Sequence, residues 1–185
     1  MKLAYIIFQD ITWLDLIGVY DAVSRLKAYR FLPHLSWDIC SFEENVKDSY
    51  GLEIKPTKIK TPLLGYDAII IPGGYGTRNL VKEQNFIAWI QTARDVRYKI
   101  SICTGSLILG AAGFLEGKKA TTHFSEYETL KSYCKEVLKD KIVVDGDTIT
   151  AGAVSSSINL GLYLCELWSG KEAREWIRQK MDFKE

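Results

Sequence analysis

The run Ala68-Ile69-Ile70-Ile71, halted at once by Pro72-Gly73-Gly74, constrains the fold more than any other stretch. Residues 66–71 lack the apolar–polar alternation of a half-exposed strand, so both faces must be covered. Pro and paired Gly then end the strand sharply. A second short strand, 99–103, runs straight into Cys103-Thr104-Gly105 and a helix-like segment, 106–111. Residues 2–8 and 36–42 read as further strands. Residues 12–26 form a helix with Leu16, Val19, Tyr20, Val23 and Leu26 on one stripe. Weak alternation over 44–60 around Tyr50-Gly51 suggests a hairpin, and 83–94 is helical. Asp145-Gly146-Asp147 between 142–144 and 148–151 is a stronger hairpin signal. A helix over 155–168 closes at Gly170, and the last helix places Ala173, Trp176, Ile177 and Met181 on one face. Strands alternating with helices predict one α/β domain over 1–185, a sandwich around a mostly parallel sheet. Active groups in such folds gather at the carboxyl ends of the strands.

Composition narrows the function. A net charge of +1 with scattered Lys and Arg offers no basic face for nucleic acid, and there is no acidic tail. The apolar runs are too short to cross a bilayer, and Gln9-Asp10 interrupt the first before it resembles a signal peptide. A soluble cytoplasmic protein is expected, with neither nucleic-acid nor membrane partner. Only 182–185 follow the last helix, so no fused DNA-binding domain is expected. The four cysteines contain no CxxC pair, and with two histidines they suggest no metal site. Cys40, Cys134 and Cys165 read as reduced, buried thiols.

Cys103 is different. A nucleophile in a tight strand-to-helix turn is pushed out of the top of the sheet, and Gly105 relieves the crowding behind it. The first helical N–H groups and the helix dipole are expected to favour thiolate. They can also hold an anion formed on a substrate. Pro72-Gly73-Gly74 reads either as a second backbone anion site or as a plain turn. Gly74-Tyr75-Gly76 is not a dinucleotide loop, because Asn79 fills the third glycine position. Asp15 has two readings. Thr12 and Asp15 fit a capping box. A partly buried carboxyl beside a thiolate would instead have a raised pKa and serve as acid, then as base. His123 reads as a cysteine partner or as a polar loop residue, and His34 as a connector. Ser125 and Glu128 fit a capping box for a short helix.

Several of these segments resemble one family. The strand leading to Pro72-Gly73-Gly74, Ile102-Cys103-Thr104-Gly105-Ser106 and Ala120-Thr121-Thr122-His123 identify a ThiJ/PfpI superfamily member over nearly the whole length. Leu14-Asp15-Leu16 and the run from Cys103 through Gly110-Ala111-Ala112-Gly113 to Gly117-Lys118-Lys119-Ala120 are most similar to the isocyanide (isonitrile) hydratases. The resemblance implies a flavodoxin-like three-layer sandwich, as in class I glutamine amidotransferases, with a nucleophile elbow and usually a homodimer. It implies Cys103 as nucleophile, Asp15 as acid–base partner, and an anion site from the Gly74 and Thr104 N–H groups. Gly73 and His123 are possible supporting residues, and no cofactor or metal is called for. The implied reaction hydrates a small-molecule isocyanide to an N-substituted formamide through a covalent thioimidate.

Rival readings are ranked by the same residues. Dicarbonyl (methylglyoxal) chemistry usually goes with glutamate at the acid position, and Asp15 is one methylene shorter. Protease-like relatives place His directly after the cysteine, where this chain has Thr104. Glutaminase chemistry lacks its usual glycine at Ser101 and its His-x-Glu pair. A redox sensor or ligand-binding protein is the non-enzymatic alternative. Two departures from the hydratase pattern, Val19 after Gly18 and Phe124 in place of tryptophan, would reshape the pocket. Trp13, Tyr75 and Phe124 are the candidate pocket walls.

Overall fold

The unbroken apolar runs become interior strands in the computed structural model, which describes residues 1–184. The first half of the chain holds β1 (Lys2–Ile7), α1 (Trp13–Ala28), β2 (Ser36–Ser41), β3 (Val46–Lys47), β4 (Glu53–Ile54), β5 (Lys58–Ile59), β6 (Ala68–Ile71), α2 (Thr77–Leu80) and α3 (Gln84–Gln91). The second half holds β7 (Tyr98–Ile102), α4 (Gly105–Ala111), β8 (Lys119–Ala120), α5 (Tyr127–Leu130), β9 (Glu136–Val137), β10 (Ile142–Asp145), β11 (Thr148–Ala151) and α6 (Ser156–Lys180). A seven-stranded sheet runs in the order β10-β11-β7-β6-β1-β2-β5. Every neighbouring pair is parallel except β10–β11, the hairpin expected around Gly146. Leu3 to Ile7 and Ala68 to Ile71 have no exposed surface, as strands covered on both faces require.

The order of strands decides where a site can form. From β1 the chain builds outward to β2, then returns to place β6 on the other side of β1. The connections leaving β1 and β6 therefore diverge at their carboxyl ends, which opens a crevice. Helices flank the sheet: α1 packs along α6, while α4 packs with α2, α3 and α5. The stripe on α1 behaves as its spacing predicts, with Leu16, Val19, Val23 and Leu26 buried. Tyr20 is half-buried and stacks edge-on against Tyr5 and Trp37, both at 5.5 Å.

Some local expectations are corrected. The hairpin expected in 44–60 does form around Tyr50-Gly51, but its strands β3 and β4 are two residues each; Asp48 Oδ1 accepts the Tyr50 and Leu52 N–H groups and closes a tight turn. β5 then leaves to pair with β2. Gly170 does break α6, at φ 86°. Beyond the break Ala173 and Ile177 are buried, but Trp176 is 44% exposed and meets Tyr29 edge-on instead of the core. Cys40 and Cys165 are buried free thiols, whereas Cys134 is only half-buried. Among the described residues no helix is long and apolar enough to cross a membrane.

Candidate active site

Three loops meet above the crevice. Cys103 follows β7, Pro72-Gly73-Gly74 follows β6, and Asp15 sits in the first turn of the helix after β1. A main-chain bond from Thr12 N–H to the Gly73 carbonyl (2.8 Å) and a bridge between Ile11 and Gly74 tie the loop after β1 to the loop after β6.

Cys103 occupies the left-handed region, at φ 54°. That conformation is costly for a residue with a Cβ and persists only when its surroundings enforce it. They do. The Cys103 N–H donates to the Ala151 and Gly152 carbonyls (3.0 and 2.8 Å). Its own carbonyl accepts from the Thr122 hydroxyl (3.0 Å) and the Ser106 hydroxyl (3.2 Å). Both polar groups of the peptide are thus saturated, and the side chain is left to turn toward the crevice.

Gly73 shows how closely the groups converge. A Cβ there would lie 2.7 Å from Cys103 Cβ, 2.7 Å from Thr104 N and 2.9 Å from Asp15 Oδ2. Any larger residue would wedge the three apart. At Gly105 a Cβ would meet the Ile71 carbonyl oxygen at 2.1 Å, which is the crowding expected behind an elbow.

Asp15 does not cap its helix. Thr12 makes no side-chain cap, and the Asp15 carboxylate instead accepts the Gly73 N–H at 2.9 Å. Asp15 is fully buried, and its second oxygen, Oδ1, accepts no hydrogen bond. Burial pushes its carboxyl up to about 7, against the opposing pull of the Gly73 N–H and the Cys103 thiol. The Cys103 thiol in turn is pushed up to about 12, first by burial and then by the Asp15 charge, while the Thr104 N–H and hydroxyl act against the shift. The expected preference for thiolate is therefore corrected. The helix behind Cys103 has seven residues, and its dipole loses to desolvation. Near neutral pH the thiol therefore keeps its proton while the carboxyl is close to half-protonated, so Asp15 can take or give a proton beside a neutral thiol.

The Thr104 N–H faces the sulfur. The Gly74 N–H is less free than expected: it donates to Thr104 Oγ1 at 3.1 Å. Thr77 completes a small hydroxyl network, donating to the Gly74 carbonyl (2.8 Å) and bonding Thr104 Oγ1 (3.0 Å). His123 lines the same cleft, but its ring is turned to its own loop. Nδ1 lies 2.8 Å from the Ser125 hydroxyl and accepts the Ser125 N–H at 3.3 Å. A neutral His123 consequently keeps its proton on Nε2. His123 caps the turn over Phe124–Glu126, so the expected Ser125–Glu128 capping box does not form.

The cleft has a volume of about 380 Å³ and is walled by Thr12, Tyr75, Arg78, His123, Ser125 and Val154. Cys103 lies at its floor with 5% of its surface exposed. Of the expected walls only Tyr75 is there. Trp13 is buried and donates its indole N–H to the Leu52 carbonyl at 3.0 Å, and Phe124 points outward, 68% exposed. Arg78 and Thr77 went unread in the sequence. Arg78 carried a signal, as the first cation after the Gly-Gly turn. Among the described residues no group of three or more His, Cys, Asp or Glu side chains is placed to hold a metal ion.

Buried carboxyl, buried thiol and a directed N–H in one crevice suit covalent chemistry at an electrophilic carbon. The profile of the DJ-1/PfpI family matches residues 1–167. An isonitrile hydratase from Pseudomonas putida is 32% identical over 99% of this chain and 78% of its own. The crystal structure of a ThiJ/PfpI family protein from Pseudomonas syringae superposes with a TM-score of 0.90 at 26% identity, over 100% of this chain and 75% of that one. Drosophila melanogaster DJ-1beta shares the fold, with a TM-score of 0.85 at 18% identity over 100% and 98% of the two chains.

Proposed function

The chain belongs to the DJ-1/PfpI family, and we propose that within it the protein is a cysteine-dependent hydratase that converts isocyanides to N-substituted formamides. The observation that carries this reading is the packing of Asp15, Cys103 and the Thr104 N–H around Gly73.

The Cys103 sulfur bonds to the terminal isocyanide carbon, and its proton passes through Asp15 to that same carbon. The product is a thioimidate, R–N=CH–S. Asp15, again a carboxylate, takes a proton from water as the oxygen adds to the thioimidate carbon, and passes it to the nitrogen. The tetrahedral adduct R–NH–CH(OH)–S then collapses. The carbon–sulfur bond breaks, the hydroxyl proton returns to sulfur, and R–NH–CHO leaves. Dividing the hydration in this way replaces one difficult step with easier ones. A carboxyl with a pKa of about 7 is matched to giving and taking a proton at neutral pH. The Thr104 N–H, with Gly74 at the rim, steadies negative charge as it develops. The reading places the reaction in one domain acting as a homodimer. Exposed Leu14 and Ile17 on α1, with exposed Leu52, whose carbonyl accepts the Trp13 indole N–H, offer an apolar face for the second copy.

The test is formamide formation from an aryl isocyanide by purified protein. Turnover by the wild type, lost in both Cys103→Ser and Asp15→Asn, supports the assignment. Full activity in Asp15→Asn would refute the acid–base role.

A further inference from the structure

Among the described residues that line the Cys103 cleft, Arg78 alone carries a permanent charge. Resting on the hydratase reading above, we propose that Arg78 anchors a carboxylate on the substrate, so that the preferred electrophiles are anionic.

The setting of Arg78 supports this. It follows Thr77, whose hydroxyl is pinned to Gly74 and Thr104, so its backbone is fixed to the loop that carries the candidate site. The guanidinium lies 5.4 Å from the centre of the Tyr75 ring, which keeps it over the cleft wall. One nitrogen, Nη2, meets Glu126 Oε1 at 2.6 Å, while the Thr129 hydroxyl holds Glu126 Oε2 at 2.9 Å. That contact engages a single corner of the guanidinium. Arg78 makes no other hydrogen bond among the described residues, so the rest of its planar fork is open to a second carboxylate.

Charge also sets direction. The Asp15 carboxyl, buried beneath the floor, repels an anion when ionised, whereas Arg78 in the wall attracts one. A small acid therefore enters with its carboxylate toward Arg78 and its electrophilic carbon toward the sulfur. His123 and Thr12 line the same cleft and carry further donors, an imidazole N–H and a hydroxyl. Glu126 holds the guanidinium in place but also competes with the ligand for it. Removing either side chain should thus move anion preference in opposite directions.

Two readouts test the proposal. The first compares kcat/KM for 4-isocyanobenzoate and its methyl ester. The second compares alkylation of Cys103 by iodoacetate and by iodoacetamide, followed by peptide mass mapping, and needs no hydratase activity. Arg78→Met should lower the anion-to-neutral ratio in both by about tenfold to a hundredfold, the usual weight of a charge-assisted hydrogen bond. The catalytic loss should fall on KM. Arg78→Lys should recover part of the ratio, and Glu126→Gln, which frees the guanidinium, should raise it. Ratios unmoved by Arg78→Met and by Glu126→Gln, with both isocyanides turned over, overturn the anchor and leave the hydratase reading standing. Turnover of neither isocyanide removes the hydratase reading. The alkylation ratio then decides the anchor alone: a fall in Arg78→Met retains it for another anionic electrophile, and no change overturns it.

Discussion

Cys103 and Cys165 are both buried, both free, and both pushed up to about 12 by burial. Both also sit against α1. Cys165, on α6, lies in the crossing of two helices and donates to the Ala22 carbonyl at 3.5 Å. Cys103 lies against the first turn of the same helix, where α1 offers a carboxyl instead of a carbonyl. Its backbone is held at φ 54°, a glycine lets Asp15 and Thr104 close around it, and a cleft opens above it. Acidity does not separate the two thiols. What separates them is a strained turn, a proton partner and access.

The largest expected difference is in turnover. Cys103→Ser should lose at least about a thousandfold, as loss of a covalent nucleophile does. Cys165→Ala should keep activity within about twofold and lose about 1–2 kcal/mol of stability from the small cavity it leaves. Comparable losses of turnover in both variants, measured per folded molecule, would erase the contrast.

Asp15→Asn should cost about a hundredfold to ten-thousandfold in turnover, the range for a positioned acid–base group. It should also change the pH dependence of stability. The Asp15 pKa rises from its ordinary 3.8 to about 7 on folding. The folded state therefore binds this proton more tightly. The stability that protonation confers is complete below about pH 4 and is lost as pH rises to about 7. The shift corresponds to roughly 4 kcal/mol. Urea midpoints measured from pH 4 to 8 should fall more steeply in the wild type than in Asp15→Asn. Asp38, whose pKa is lowered, works in the opposite sense but equally in both proteins.

A pair of glycine substitutions gives the smallest effect and the sharpest separation of site from scaffold. At Gly161 a Cβ would come 2.7 Å from Ala22 Cβ, and at Gly73 it would come as close to Cys103 Cβ. Alanine at either position should cost about 2–3 kcal/mol through overpacking. Only Gly73→Ala should also reduce kcat of the molecules that remain folded.

The sheet and the elbow were legible because they rest on local signals. The Ala68–Ile71 run, the Asp145-Gly146-Asp147 turn and the break at Gly170 each name their structure without help from distant residues. Cys103 and Asp15 were legible through the strand-to-helix turn and the resemblance, although spacing alone left Asp15 as a helix cap. What the sequence hid is long-range. Asp15 reaches Gly73, Thr77 reaches Thr104, and Arg78 reaches Glu126, all across separations that no window covers. The direction of the thiol pKa was misread for the same reason: the helix N-terminus is local and visible, while burial is the sum of the whole fold. The expected cap at Ser125 failed on a smaller scale, because the imidazole of His123 reaches the same N–H first.

The central claim is that geometry at the elbow selects one thiol of two for covalent chemistry. It is tested most directly by quenching the protein in acid during turnover of an aryl isocyanide and mapping the adduct by peptide mass spectrometry. The account predicts a mass gain equal to the isocyanide on the peptide that carries Cys103, with Cys165 unmodified. A formamide product with no adduct on Cys103, or an adduct shared equally with Cys165, would contradict it.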